Sequence, residues 1–311
     1  MTRAVVFGYH QVGVRCLKVL LAHGIDVPLV VTHEDAPGET IWFDSVAITA
    51  AERGIAIRTP DDPNTPEFVA EVAALKPDFV FSFYYRKMLK EPLLSLAPRG
   101  ALNMHGSLLP KYRGRVPVNW AVLHGESQTG VTLHYMTVKP DAGDIVGQMA
   151  VPILPDDTAS EVFGKVTVAA ELVLDHVLPG LIDGTAPRQQ QDLAQGSYFG
   201  GRRPEDGNID WSGDAQAIHN LVRAVAPPYP GASCTVGGLP ARILRTRVLE
   251  RRTVPTLTPT IAVRDSRLIA ECGGGGTLHV LSLEVGGRAT SAGDFVARFG
   301  AAPVVLGVAA R

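Results

Sequence analysis

Three short runs limit the fold more than anything else in this chain. Residues 4–7 (AVVF), 27–32 (VPLVVT) and 79–83 (FVFSF) are almost entirely apolar, broken only by the small hydroxyls of Thr32 and Ser82, and rich in β-branched or aromatic side chains. Such runs are too short for a core helix and too uniformly apolar for a strand with one wet face, so they read as strands buried on both faces. The segments between them carry a different period. Val14, Leu17 and Leu21 recur at helical spacing after Gly13, and Phe68, Val72 and Leu75 do so between Pro66 and Pro77. Strands alternating with helices predict βαβ units, hence a parallel sheet with helices packed on its faces.

Residues 131–138 (VTLHYMTV) predict a further strand. Thr158 and Glu161 form a capping-box pattern ahead of a helix bearing Val162, Val166, Ala169, Val173 and Val177. From about residue 185 the character changes. GTAPRQQQ reads as a polar linker, YFGGRRPEDGNIDW as a loop, and Ile218, Leu221, Val222 and Val225 as one more amphipathic helix. Beyond Pro227, β-prone runs alternate with Gly and Pro, and the GGGG at 273–276 reads as a hairpin turn. The expected architecture is α/β: a Rossmann-like domain with a parallel-rich sheet over residues 1–200, then a small β-barrel over 206–311.

Charge excludes one broad class of partner. Lysine and arginine total 29 against 31 acids, a formal charge of -2, which gives no global drive toward nucleic acid. Cys16, Cys234 and Cys272 show no ligand spacing and fit a reducing cytoplasm; metal ligation is not expected. No apolar run approaches the ~20 residues of a membrane helix, so neither export nor membrane insertion is expected. Nothing in the sequence specifies an oligomeric state.

The chemistry-bearing residues cluster around NMHGSLLPKYRGR, residues 103–115. Asn103 and His105 flank Met104 at the end of a strand-like run, so their side chains share one face of an extended segment near a strand's carboxyl end. They read either as a catalytic pair or as hydrogen-bonded structural residues. The DAGD at 141–144 follows the next strand and brings Asp141 toward the same sheet edge, while Asp144 reads as a turn residue. Together Asn103, His105 and Asp141 would supply an oxyanion donor, a proton acceptor and an orienting carboxylate. Lys111, Arg113 and Arg115, with Arg202 and Arg203 in GGRR, form two basic loops suited to phosphate or carboxylate, or merely solvated ones. His33, His134 and His219 are expected to be structural or exposed. Ser107 lacks the context of a nucleophile, and Gly8 with Gly13 reads as a tight turn instead of a dinucleotide fingerprint, so no NAD is expected.

The stretch NMHGSLLPKYRGRVPVNW, followed by GVTLHYMTVKPDAGDIV, resembles the folate-dependent formyltransferase family. Within it, VVFGYHQVG, THEDAPGE, SVAITAAERGI, FSFYYR and RAVAPPYPGA are most similar to the ArnA-type branch, which serves lipid A modification and polymyxin resistance. The resemblance implies a Rossmann-like domain and an OB-like barrel. It implies transfer of a formyl group from N10-formyltetrahydrofolate to the amine of UDP-4-amino-4-deoxy-L-arabinose, with methionyl-tRNA or another nucleotide-linked amino sugar as alternative acceptors. It assigns catalysis to Asn103, a protonated His105 and Asp141. It places the pterin against Arg86, Lys87, Met88 and Leu89 and the loop from Val138 to Asp141, and the nucleotide phosphates near Arg113, Arg115, Arg202 and Arg203. From residue 206 onward the chain has 11 arginines, no lysines and 8 acids, a weak footprint for tRNA that favours the sugar.

Overall fold

A computed structural model of the chain describes residues 1–35, 38, 41–251 and 254–309; Ala36, Pro37 and Glu39 of the THEDAPGE stretch lie outside them. Its contacts divide it into two compact units. The first comprises Met1–Pro117, Gln128–Pro152 and Phe163–Gly200, the second Val118–Ser127, Ile153–Val162 and Gly201–Arg311.

The first unit opens as the apolar runs predict. β1 (Arg3–Gly8) leads into α1 (His10–Ala22), then β2 (Asp26–Val31), α2 (Val46–Ala51) and β3 (Ala56–Arg58). α3 (Pro66–Ala74), β4 (Phe79–Phe83), α4 (Glu91–Leu94) and β5 (Ala101–His105) follow. Ala4, Val5, Val6 and Phe7 have no exposed surface, which is why that run carries no polar alternation. The turn from β1 into α1 requires Gly13, because a Cβ there would lie 2.8 Å from Val46 and 3.3 Å from the Gly8 backbone. α3 starts where Pro66 occupies its first turn and the Thr65 side chain accepts from the Phe68 N–H.

Beyond β5 come the two-residue β6 (Arg113–Gly114), α5 (Pro117–Leu123), β7 (Gln128–Tyr135), β8 (Ile145–Pro152), α6 (Ala159–Asp183) and the two-residue β9 (Tyr198–Phe199). The sheet order is β3-β2-β1-β4-β5-β7-β8. β1 to β5 pair in parallel, whereas β7 is antiparallel to both β5 and β8. Thr158 and Glu161 form the expected reciprocal cap of α6.

Two expectations are corrected. Residues 136–138 lie outside β7, because Met136 donates its N–H to the Ala101 carbonyl and turns the chain into the Asp141 loop. GTAPRQQQ is not simply a linker: Gln189 and Ile145 exchange both backbone hydrogen bonds, at 2.8 and 2.9 Å, and Gln191 is buried.

In the second unit α7 (Ala215–Ala224) precedes β10 (Ala232–Val236), β11 (Leu239–Glu250), β12 (Thr260–Arg264), β13 (Arg267–Glu271) and β14 (Thr277–Val285). β15 (Arg288–Ala289), α8 (Ala292–Phe299) and β16 (Val304–Val308) complete it. The order β11-β10-β16-β12-β13-β14 closes through a β11–β14 pairing into an antiparallel barrel. Alternate residues of β10 point inward, and Ile243, Leu278, Val280, Leu283 and Phe295 fill the interior. The GGGG run makes the turn between β13 and β14.

Candidate active site

β5 places Asn103 and His105 two residues apart on one face. The antiparallel register sets His134 of β7 directly opposite Asn103. Asn103 Nδ2 donates to His134 Nε2 at 3.2 Å. That histidine is only 1% exposed, and its Nδ1 lies 2.8 Å from the Tyr135 carbonyl. A carbonyl can only accept, so the His134 proton sits on Nδ1 and Nε2 offers a lone pair. His105 is fixed by the same argument: its Nε2 donates to the Tyr112 carbonyl at 2.8 Å, leaving Nδ1 for the site.

Asp141 joins this pair by an unexpected route. Because β7 runs antiparallel, it ends near the start of β5, the opposite edge from His105, and loop 136–144 must return along the strand. Asp141 Oδ1 reaches 3.6 Å from His105 Nδ1 and 3.5 Å from His134 Nε2, while Oδ2 accepts from the Gly114 N–H at 2.9 Å. The return is tight. Asp141 has φ +50°, and a Cβ on Gly143 would lie 2.0 Å from the Tyr135 carbonyl oxygen.

Burial and charge act in opposite directions here. Burial lowers the His105 pKa from its ordinary value, more than Asp141 and the Tyr112 hydrogen bond raise it, and His134 lowers it further. The resting ring is therefore neutral at neutral pH, contrary to the protonated form expected from sequence. Burial also opposes ionisation of Asp141. The positive charge His105 carries once protonated, followed by His134 and the hydrogen bond from the Gly114 N–H, outweighs it and holds the carboxyl well below the usual carboxylate range.

The turn after His105 is braced from β7 and β8. Thr132 Oγ1 donates to the Ser107 carbonyl and accepts from the Leu109 N–H and from Gln148 Nε2. Ser107 is fully buried, and its hydroxyl donates to the Lys111 carbonyl at 2.7 Å. Ser107 thus closes a turn. Among the described residues no group of three or more His, Cys, Asp or Glu side chains is placed to hold a metal ion.

Comparison with known proteins gives this geometry a context. Residues 4–178 match the formyl transferase family and residues 202–300 the formyl transferase C-terminal domain. The chain belongs to the formyl transferase family. It is similar in fold to an N-formyltransferase from Helicobacter canadensis solved with folinic acid and dTDP-3-aminofucose. That match has 21% identity and a TM-score of 0.72, covering 90% of this chain and 99% of the other. WlaRD, a sugar 3N-formyl transferase solved with dTDP and 5-N-formyl-THF, matches at 19% identity and TM-score 0.71, covering 93% and 99%. HypX from Aquifex aeolicus, solved with tetrahydrofolic acid, matches at 18% and 0.62, covering 96% of this chain and 47% of that one.

The remaining residues singled out in this formyl transferase chain are spread more widely. After β4, the backbone N–H of Arg86 donates to His33 Nε2 at 2.9 Å, and its guanidinium stands 4.4 Å from the Tyr9 ring. Lys87 Nζ donates to the Pro60 carbonyl, and Asn64 accepts from the Lys90 N–H while donating to the Met88 carbonyl. The strip 86–90 is thus held at both ends, with Met88 exposed and Leu89 buried. Val138 is exposed in the Asp141 loop. Arg113 and Arg115 belong to the first unit, where their N–H groups donate to the Ser197 and Phe199 carbonyls; Arg113 Nε is buried with no partner among the described residues. Arg202 and Arg203 belong to the second. Arg202 donates to the Asp206 carbonyl and lies 5.4 Å from the Trp120 ring, and Arg203 donates its backbone N–H to the Asp206 carboxylate.

Two site residues escaped the sequence reading. His134 was expected to be structural or exposed; only its register opposite Asn103, two strands joined across the sheet, shows what it touches. Gln191 lay in apparent linker, yet its Nε2 donates to the Asp141 and Gly143 carbonyls.

Proposed function

We propose that the chain transfers a formyl group from N10-formyltetrahydrofolate to the amine of a nucleotide-linked amino sugar, with residues 1–200 as its catalytic domain and 206–311 as the C-terminal domain. The convergence of Asn103, His105 and Asp141 in a member of the formyl transferase family carries this reading. The sugar nucleotides and folates with which similar proteins were solved support the substrate class. For the acceptor we favour UDP-4-amino-4-deoxy-L-arabinose, on the ArnA-type stretches of the sequence, which also favour a lipid A role and a cytoplasmic setting.

In this reading the acceptor amine attacks the formyl carbon and the carbonyl oxygen becomes negative. One Asn103 N–H is held on His134, leaving the second to stabilise that oxygen. Neutral His105 takes the amine proton on Nδ1, and Asp141 stabilises the imidazolium so formed. Collapse breaks the bond from carbon to N10, and the proton passes from His105 to N10 to give tetrahydrofolate. The strip 86–89, with Val138 and Asp141, is assigned to the pterin. Arg113, Arg115, Arg202 and Arg203 are assigned to the phosphates.

Purified protein would be incubated with N10-formyltetrahydrofolate and, separately, UDP-4-amino-4-deoxy-L-arabinose, a dTDP-linked amino sugar and methionyl-tRNA, and each product weighed by mass spectrometry. One added formyl group on the UDP sugar supports the full reading. Formylation of the dTDP sugar alone would change the acceptor, and formylation of tRNA alone would overturn the substrate class.

A further inference from the structure

We propose that Gln191 is a positioning residue of the active site, holding the Asp141 loop in the backbone conformation from which its carboxylate reaches His105. This rests on the reading of Asp141 as the partner of His105. A primary amide has two N–H donors, and Gln191 directs both contacts of its Nε2 into the loop, to the carbonyls of Asp141 at 3.2 Å and Gly143 at 2.6 Å. The amide orientation is determined, since a flipped side chain would set Oε1 against two carbonyl oxygens. That oxygen is buried and has no partner among the described residues.

The loop has a conformation such a brace would favour. Asp141 holds a left-handed backbone conformation, φ +50°, which aspartate adopts more readily than most residues but less easily than glycine, so contacts to its carbonyl help keep it there. The Gly114 N–H fixes its carboxylate from one side, and Gln191 fixes its carbonyl from the other. Gln191 is itself anchored, because two residues earlier the paired backbone bonds of Gln189 and Ile145 attach the segment beside the start of β8. A stretch with the composition of a linker thus acts as a strap across the loop.

The test compares Gln191→Met, which keeps the length and removes both donors, with Gln190→Met, the same change at an exposed neighbour. The first readout is the titration of the His105 ring by NMR without substrates. The groups facing that ring are Asp141, which raises its pKa, and His134, which lowers it. Freed of Gln191, Asp141 withdraws, so His105 titrates at lower pH in Gln191→Met and unchanged in Gln190→Met. The second readout is turnover: kcat falls about 10- to 100-fold, as expected for a misplaced catalytic group, with little change in KM. A Gln191→Met protein that melts lower but keeps the His105 titration and kcat of the parent would reduce Gln191 to a structural residue and overturn the proposal.

Should Gln191→Met not fold, Gln191→Glu keeps the shape and sets a carboxylate against the two carbonyls. Its loss of kcat, relative to the parent at each pH, deepens as the pH rises and the new carboxyl ionises; a pH-independent ratio would overturn the proposal. The NMR readout needs no formyl transfer. A lowered His105 titration in a chain that formylates nothing would keep the strap and remove the proposed function, whereas an unchanged titration in an active enzyme would do the reverse.

Discussion

Replacing Asp141 with asparagine tests the centre of the proposed mechanism, because it keeps the shape and removes the charge. At the observed 3.6 Å, two unit charges interact by about 4.6 kcal/mol at an effective dielectric near 20. The neutral amide retains part of that attraction through its dipole, and the Gly114 N–H can still find an acceptor oxygen. A net loss of about 2–4 kcal/mol in stabilising the imidazolium is therefore expected, a fall in kcat of about 30- to 1,000-fold. The sign with pH is also fixed. Asp141 raises the His105 pKa, so its removal moves the acid limb of the kcat profile to lower pH. Tetrahydrofolate release, followed continuously across the pH range for parent and Asp141→Asn, measures both effects. A variant within about threefold of the parent at all pH values would refute the charge argument, since that change is worth only about 0.7 kcal/mol.

Stability should report the same carboxylate independently. The folded Asp141 pKa is depressed, so its contribution is fully present above the unfolded value of about 3.9 and is lost as the pH falls through the folded one; denaturant melts should show the gap between parent and Asp141→Asn narrowing on acidification, and a gap that widens would contradict the assignment. Asn103→Ala removes a donor for the developing oxyanion and should lower kcat about 10²- to 10³-fold in steady-state assays, with near-normal turnover ruling that role out. Gly143→Ala puts a methyl group 2.0 Å from the Tyr135 carbonyl oxygen, and calorimetry should show about 1–3 kcal/mol of destabilisation alongside reduced turnover. Arg202→Met should raise KM for the sugar nucleotide about tenfold or more with kcat nearly kept, if its guanidinium binds phosphate; an unchanged KM removes it from the site.

The sequence makes some of this architecture legible for clear physical reasons. Runs such as FVFSF are almost entirely apolar because every residue in them is buried, and the Thr158/Glu161 spacing marks a helix start through purely local hydrogen bonds. Asn103 and His105 are readable as a pair because they are two residues apart on one strand. What hides the rest is non-local. Strand direction leaves no mark in VTLHYMTV, so the edge at which β7 ends, and with it the path of Asp141, follows only from pairing across the sheet. The histidine in that run cannot be told from a core histidine until its register is known. Polar composition makes RQQQ read as solvated, although one glutamine is buried against backbone carbonyls that no sequence pattern announces. The neutral state of His105 likewise depends on burial by residues far along the chain.

The strand order has a bearing on solubility at high concentration. The parallel-rich sheet has two ends, and each is short or blunted: β3 has three residues, while β8 is bonded at Ile145 to Gln189 and finishes at Pro152, which has no N–H to donate. The barrel closes on itself through β11 and β14. The Gln189 bridge therefore covers the start of the longer sheet edge, and edge-to-edge pairing of folded copies should become easier once that segment peels away from β8.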